Sequence, residues 1–186
     1  YFTLVSEFML QQTQVKTVIP YFNNFLKEIP DFQSLAKVSE TKLLKHWQGL
    51  GYYSRAKNLK KSAKMIIDNY SGRLPNNFEE LKKLPGVGDY TASAISAIVF
   101  NQQIIPLDGN IERVLKRILN LKTQEEIKKE NLHKQKKIFG KTSRSSDYVQ
   151  ALMEIGSLLC KPINPYCDKC PITKNCLSFK KKDFEI

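Results

Sequence analysis

No stretch of this sequence stays apolar for the roughly 20 residues that a membrane-crossing helix needs, so a helix through a bilayer is excluded. No segment alternates apolar and polar residues as a half-buried strand does, and there is no repeat or low-complexity tract, so neither a sheet nor a solenoid is expected. Cysteine is absent until Cys160, and all four cysteines fall between Cys160 and Cys176. A disulfide scaffold would spread its bridges to close long loops; thiols crowded into one short segment point instead to a metal site in a reducing compartment. The chain opens on Tyr1 in "YFTLVSEF", with neither an initiator Met nor a basic leader, and reads as the interior of a longer protein. Acidic side chains are also short. Eighteen Asp and Glu face 30 Lys and Arg, a formal net charge of +12. The surplus is spread over "KNLKKSAK", "EELKKL", "KKENLHKQKKIFGKTSR" and "SFKKKD", as on a face that meets several phosphates of a polyanion, nucleic acid being the commonest.

What is present is helical. The 186 residues, 41% of them apolar, suffice for one large domain or two small lobes. Apolar residues recur at helical spacing through Phe8, Leu10, Val15, Val18, Ile19, Phe22, Phe25 and Leu26. Pro20 is expected in the first turn of a second helix, with Thr17 as its cap. Short helices follow near Phe32–Val38 and Glu40–Trp47. Gly49 and Gly51 break the pattern, and a long amphipathic helix runs from about Arg55 to Tyr70. Further helices are expected near Phe78–Leu84, Tyr90–Asn101, Asn110–Leu119, Glu125–Phe139 and Ser146–Leu159. The fold class is all-α.

Three features carry chemistry. The first is the turn in "LKKLPGVGDYTASAI". Gly86 and Gly88 admit positive φ and close approach of another backbone, while Leu84 and Val87 would root the turn in a core. A turn of N–H groups at a helix start binds anions, phosphate above all; a plain helix–helix connection is the alternative. The second is the cysteine spacing, Cys160-x6-Cys167-x2-Cys170-x5-Cys176. Structural zinc sites use two close pairs, and only one pair here is close. An iron–sulfur cube can be wrapped by unevenly spaced thiolates; zinc remains the alternative on ligand type. The third is a pair of carboxylates. Glu7 lies in an apolar, amide-rich helix and Asp108 at a helix start, where a solvated side chain and a simple N-cap are the ordinary readings.

"SEFMLQQTQVKTVIPYF", "GLGYYSRAKNL", "LPGVGDYTASAI", "PLDGNIERVLKR", "ALMEIGSLLC" and "CKPINPYCDKCPITKNC" resemble, in order, the motifs of adenine DNA glycosylases of the MutY type. These belong to the helix-hairpin-helix glycosylase superfamily with an iron–sulfur cluster, and the likeness runs from Tyr1 to about Cys176. It implies a six-helix barrel lobe with the hairpin (1–105) packed on an iron–sulfur cluster lobe (106–186). The implied activity is removal of adenine mispaired with 8-oxoguanine or guanine in double-stranded DNA by hydrolysis of the N-glycosidic bond. The enzyme would be a monomer in a bacterial cytoplasm. By the same likeness Glu7 is the acid that protonates the adenine ring and Asp108 stabilises the sugar cation. Asn110 helps place the water or ribose, and Glu154 contacts the flipped adenine. Gln12 and Thr13 face the lesion pair, Leu50 and Tyr52 form the wedge that fills the stack, and Gly86, Val87 and Gly88 grip a phosphate. Cys160, Cys167, Cys170 and Cys176 hold a 4Fe–4S cluster that orders a basic loop against DNA. Tyr90 stands where bifunctional relatives of the endonuclease III type carry the lysine that forms a Schiff base, so a glycosylase without lyase activity is implied. Retention of Glu7 and Asp108 argues against a non-catalytic DNA-binding module. The resemblance also implies a stretch before Tyr1 and a C-terminal domain that recognises 8-oxoguanine, neither of which is within these 186 residues.

Overall fold

The apolar periodicity turns into helices from the second residue onward. The computed structural model describes residues 1–122 and 142–184. Helices α1 (Phe2–Leu10), α2 (Val15–Glu28), α3 (Phe32–Lys37), α4 (Glu40–Trp47), α5 (Ser54–Tyr70), α6 (Phe78–Lys82), α7 (Asp89–Ile98) and α8 (Gly109–Leu119) follow one another. The helix expected over Glu125–Phe139 lies outside the described residues. Then come α9 (Ser145–Glu154), which continues as a π-helical turn (Ile155–Leu159), two 3-10 turns (Cys167–Lys169 and Thr173–Asn175), and the short α10 (Leu177–Lys180). Among the described residues there is no strand, and no helix is long and apolar enough to cross a membrane.

The chain divides into two compact units, Tyr1–Ile95 and Ser96–Ile186. In the first, α5 is the central post and packs on α1, α3 and α4. Its apolar stripe of Leu59, Ala63 and Ile66 is fully buried, as are Leu4 and Phe8 of α1, Leu35 of α3, and Leu43 and Trp47 of α4. Phe25 of α2 meets Trp47 edge-on at 6.3 Å, a favoured aromatic geometry. Polar side chains set the helix starts. Asp31 and Ser34 form a reciprocal capping box on α3, Ser39 accepts from Lys42 N–H, and Asn77 accepts from Glu79 and Glu80 N–H, as expected of N-cap residues. In the second unit, Ile111, Val114 and Leu115 of α8 pack with Val149 and Leu152 of α9, Ile155, and Ala97 and Ile105. Asn101, in a left-handed conformation (φ 53), ends the α7 segment. Its amide donates to Ser143 O at 2.7 Å and accepts from Ser146 N–H at 2.9 Å, tying that segment to the start of α9.

The second helix departs from expectation. It begins at Val15 after an extended Gln14, so Thr17 does not cap it and Pro20 lies inside it, beyond the first turn. An interior proline removes one backbone donor and crowds the carbonyl four residues back. Here both Pro20 and Lys16 face solvent, so water can satisfy the freed carbonyl. Because the helix carries this defect on its exposed side, Pro20→Ala is expected to raise stability by about 1–3 kcal/mol, measured by urea denaturation; an unchanged or lower midpoint would show the proline to be unstrained.

Candidate active site

In the first unit the sequence-selected residues gather at the end of α1. Glu7 is 9% exposed and is the only acid among the buried residues of that helix. One turn on, the Gln11 side chain donates to Gly86 O at 3.2 Å. Gly86 has φ 82, and a Cβ there would lie 2.8 Å from the Phe8 ring and 2.9 Å from Asn58 Cβ. Only glycine permits both that backbone angle and that approach. Leu84 and Val87 are buried beneath the turn, and Ser62 Oγ donates to Pro85 O at 2.8 Å. The two glycines nevertheless differ. Gly88 has no positive φ, and a Cβ on it would meet nothing within 4 Å, so it leaves the outer face of the turn open without being required by the backbone. Asp89 begins α7, where backbone N–H groups lack an acceptor in a preceding turn, and it pairs with Lys82 at 2.6 Å. Tyr90 follows in the first turn of the same helix.

The 49–52 turn is wound left-handed at Gly49, Gly51 and Tyr52 (φ 100, 72 and 47). Leu50 is buried at 6% exposure while Tyr52 stands 61% exposed, so the two halves of the expected wedge have different surroundings. Gln12, also left-handed (φ 56), is exposed, and Thr13 is half-buried. Arg55, at the start of α5, lies between these two turns. Its Nη1 donates to Met9 O at 2.8 Å and its Nη2 to Leu50 O at 3.0 Å. Burial lowers its pKa, opposed by the Tyr52 phenol.

In the second unit, Asp108 caps α8. Its Oδ1 accepts from Ile111 N–H at 2.7 Å, and Asn110 Nδ2 reaches Oδ2 at 3.4 Å. Arg113 continues outward from this cap. It donates to Asn110 Oδ1, Gly156 O and Cys160 O, each at 2.8 Å. A Cβ on Gly156 would sit 2.9 Å from Asn110 Cβ, so the π-helical turn lies directly against the capped end of α8. Glu154, just ahead of that turn, is exposed.

The four cysteines are free thiols, all half-buried, and line one cavity of about 30 Å³ with Val114, Ile118, Ile155 and Arg117. Burial, and then repulsion from the other three cysteines, raises the pKa of Cys167. Among the described residues no three His, Cys, Asp or Glu side chains converge closely enough to hold a single metal ion. Arg117 is buried at 3% exposure. It donates to Lys161 O at 2.6 Å and Pro162 O at 2.9 Å, and approaches Cys160 Sγ at 3.4 Å. Thr173 Oγ1 bonds the carbonyls of Cys167 and Cys170 at 2.5 and 2.7 Å, closing the short turns between the thiols.

Residues 5–138 match the HhH-GPD superfamily base excision DNA repair protein family. The chain belongs to the HhH-GPD superfamily. All of it aligns with an adenine DNA glycosylase of Buchnera aphidicola subsp. Baizongia pistaciae at 41% identity over 187 residues, and it spans about half of that relative's length (53%). Two solved structures share the fold over 97% of this chain and 84% of their own. One is a thermostable thymine-DNA glycosylase (TM-score 0.78, 28% identity) and the other a non-covalent endonuclease III–DNA complex (TM-score 0.75, 26% identity).

For this HhH-GPD chain, Gln11, Arg55, Arg113, Arg117 and Gly156 are the residues that reading the sequence for its site passed over. An arginine on an amphipathic helix looks like surface charge. The available signal was the i,i+4 repeat of Arg113 and Arg117 in "ERVLKR", which puts two guanidinium groups on one side of α8. Gly156 gives a direct test of the packing. Gly156→Ala is expected to destabilise by about 1–3 kcal/mol, because Asn110 must move. Gly109→Ala, whose Cβ meets nothing within 4 Å, should be neutral or stabilising by up to about 1 kcal/mol. Denaturation of both variants checks this, and equal effects would mean that the Gly156 contact is soft.

Proposed function

We propose that this chain carries the catalytic machinery of a monofunctional adenine DNA glycosylase. It acts as a monomer on double-stranded DNA containing adenine opposite 8-oxoguanine or guanine, and leaves an abasic site. One observation carries the reading. The Gly86 turn, which leads into the start of α7, where an anion is favoured, is bonded through Gln11 to the end of the helix that buries Glu7. A phosphate held there would be registered against a proton donor. The similarity of this chain to about half of an adenine DNA glycosylase supports the choice of base.

In the reaction the bond between the sugar carbon and adenine nitrogen breaks. Glu7 gives its proton to the adenine ring, so the base leaves without carrying negative charge. The sugar passes through an oxocarbenium-like state that the carboxylate of Asp108 faces. The Ile111 N–H at the start of α8 fixes one oxygen of Asp108, and Asn110 at the other helps place the water that adds to the sugar carbon and passes its proton to the carboxylate left on Glu7. Tyr52 fills the vacated stack, with Leu50 rooting its turn; inserted side chains of this kind offset part of the unstacking cost. Gln12 and Thr13 read the lesion pair, Glu154 contacts the flipped adenine, and Gly86, Val87 and Gly88 receive the phosphate. Tyr90 has no amine, so no imine forms and the strand stays intact.

The thiol cavity suits an iron–sulfur cluster by its donor set, four sulfurs lining one space, the ligand type such clusters take. Cys160, Cys167, Cys170 and Cys176 would hold a 4Fe–4S cluster, which when bound orders the basic loop from Cys160 to Cys176 for contact with DNA. Anaerobically purified protein is expected to be brown, with about four iron atoms per chain; stoichiometric zinc without iron in elemental analysis would refute the assignment.

Glu7→Gln and Asp108→Asn preserve shape, and asparagine caps a helix about as well as aspartate. Each is expected to slow single-turnover adenine release from an 8-oxoguanine:adenine duplex by roughly a hundredfold or more. Duplex affinity should fall little, since phosphate contacts dominate it. Released adenine should leave an unbroken strand and no borohydride-trapped adduct. Near-wild-type release by either variant, or strand breakage at the rate of base release, would overturn the mechanism.

A further inference from the structure

Arg55 is 6% exposed, and among the described residues it has no salt-bridge partner. Its charge is met almost entirely by main-chain oxygen. Nη1 donates to Phe8 O (3.2 Å), Met9 O (2.8 Å), Gln11 O and the Thr13 hydroxyl (3.2 Å). Nη2 donates to Leu50 O (3.0 Å) and Gly51 O (3.1 Å). The two nitrogens therefore serve two different turns. Phe8, Met9 and Gln11 are at the end of α1, where carbonyls lack helical donors and a cation is favoured. The guanidinium carbon also sits 5.6 Å from the Trp47 ring and 5.5 Å from the Tyr52 ring, within cation–π range.

Each turn contains a non-glycine residue in the left-handed region directly after a carbonyl that Arg55 holds. Gln12 (φ 56) follows Gln11, and Tyr52 (φ 47) follows Gly51. Side chains of this size rarely adopt that conformation without outside support. Both residues are exposed. We infer that Arg55 is a positioning residue, a single buried fork that holds Gln12 and Tyr52 in left-handed conformations and so sets together the directions of two side chains presented to DNA. The assignment of those side chains to DNA rests on the glycosylase reading; the bridge itself does not. The planar fork is essential, because a lysine keeps the charge but offers one nitrogen and cannot span both turns.

The test is hydrogen exchange on the full chain, comparing wild type with Arg55→Lys and Arg55→Met, alongside single-turnover adenine release. Both variants are expected to speed exchange about tenfold or more in peptides covering residues 11–14 and also in those covering 49–53, with α3 unchanged. Base release should fall about tenfold or more while duplex affinity stays within about threefold. Wild-type protection in Arg55→Lys, loosening of one turn alone, or loss of protection spread equally over the whole first unit would each overturn the inference, the last by making Arg55 a core strut. Loosening of both turns in a protein whose wild type releases no adenine would sustain the bridge and refute the glycosylase reading.

Discussion

A guanidinium surrounded by carbonyl oxygens cannot be withdrawn without leaving those oxygens unsatisfied, and each unit of this chain is organised around such groups. Unpaired buried carbonyls are costly, so the backbone they belong to is held as firmly as the arginine that binds them. In the first unit Arg55 draws the end of α1 and the 49–52 turn onto one point. In the second, Arg113 joins the Asp108 cap to the segment that reaches Cys160, and Arg117 holds the chain just beyond that thiol. The chemistry assigned to Glu7, Asp108 and the cysteines depends on backbone that these three side chains keep in place.

Much of this was legible beforehand, and the failures have physical causes. Helices α3, α4 and α5 lie within a residue or so of where apolar spacing puts them, because each buries a regular stripe. Pro20 misled because proline is most at home in the first turn of a helix, whereas on the exposed side of α2 it is carried in the interior, at a cost in stability, with water left to meet the freed carbonyl. Gly86 and Gly88 look alike in a P-G-V-G string, yet only the first is bound by φ and by contact with Phe8. The arginines were hidden for a different reason. Most of their partners are main-chain atoms, which have no residue type, and no sequence pattern marks a carbonyl as waiting for a donor.

The carboxylates illustrate a limit of another kind. That Asp108 caps a helix could be read directly, and it does so. That its other oxygen accepts from Asn110, and that Arg113 ties Asn110 to Gly156, could not be read, because the second link needs α8 to meet a π-helical turn. Such turns occur mainly inside otherwise ordinary helices, and "ALMEIGSLLC" carries no distinctive spacing for one.

That turn also affects the chain in a way that composition does not express. A π-helical turn holds one residue more than the α-helical path it replaces, and Cys160 N–H accordingly bonds Ile155 O, five residues back, at 2.7 Å. Losing one residue between Ser145 and Cys160 would let the segment relax into plain α-helix. Positions beyond the loss, Cys160 among them, would then keep their direction, because the deletion removes the residue that the π-helical turn takes up; the same loss with the turn retained would swing everything after it about 100° around the axis. The π-helical turn is therefore a local slack in the chain: it is the place in this stretch where one residue can be lost while the backbone beyond it still points the same way.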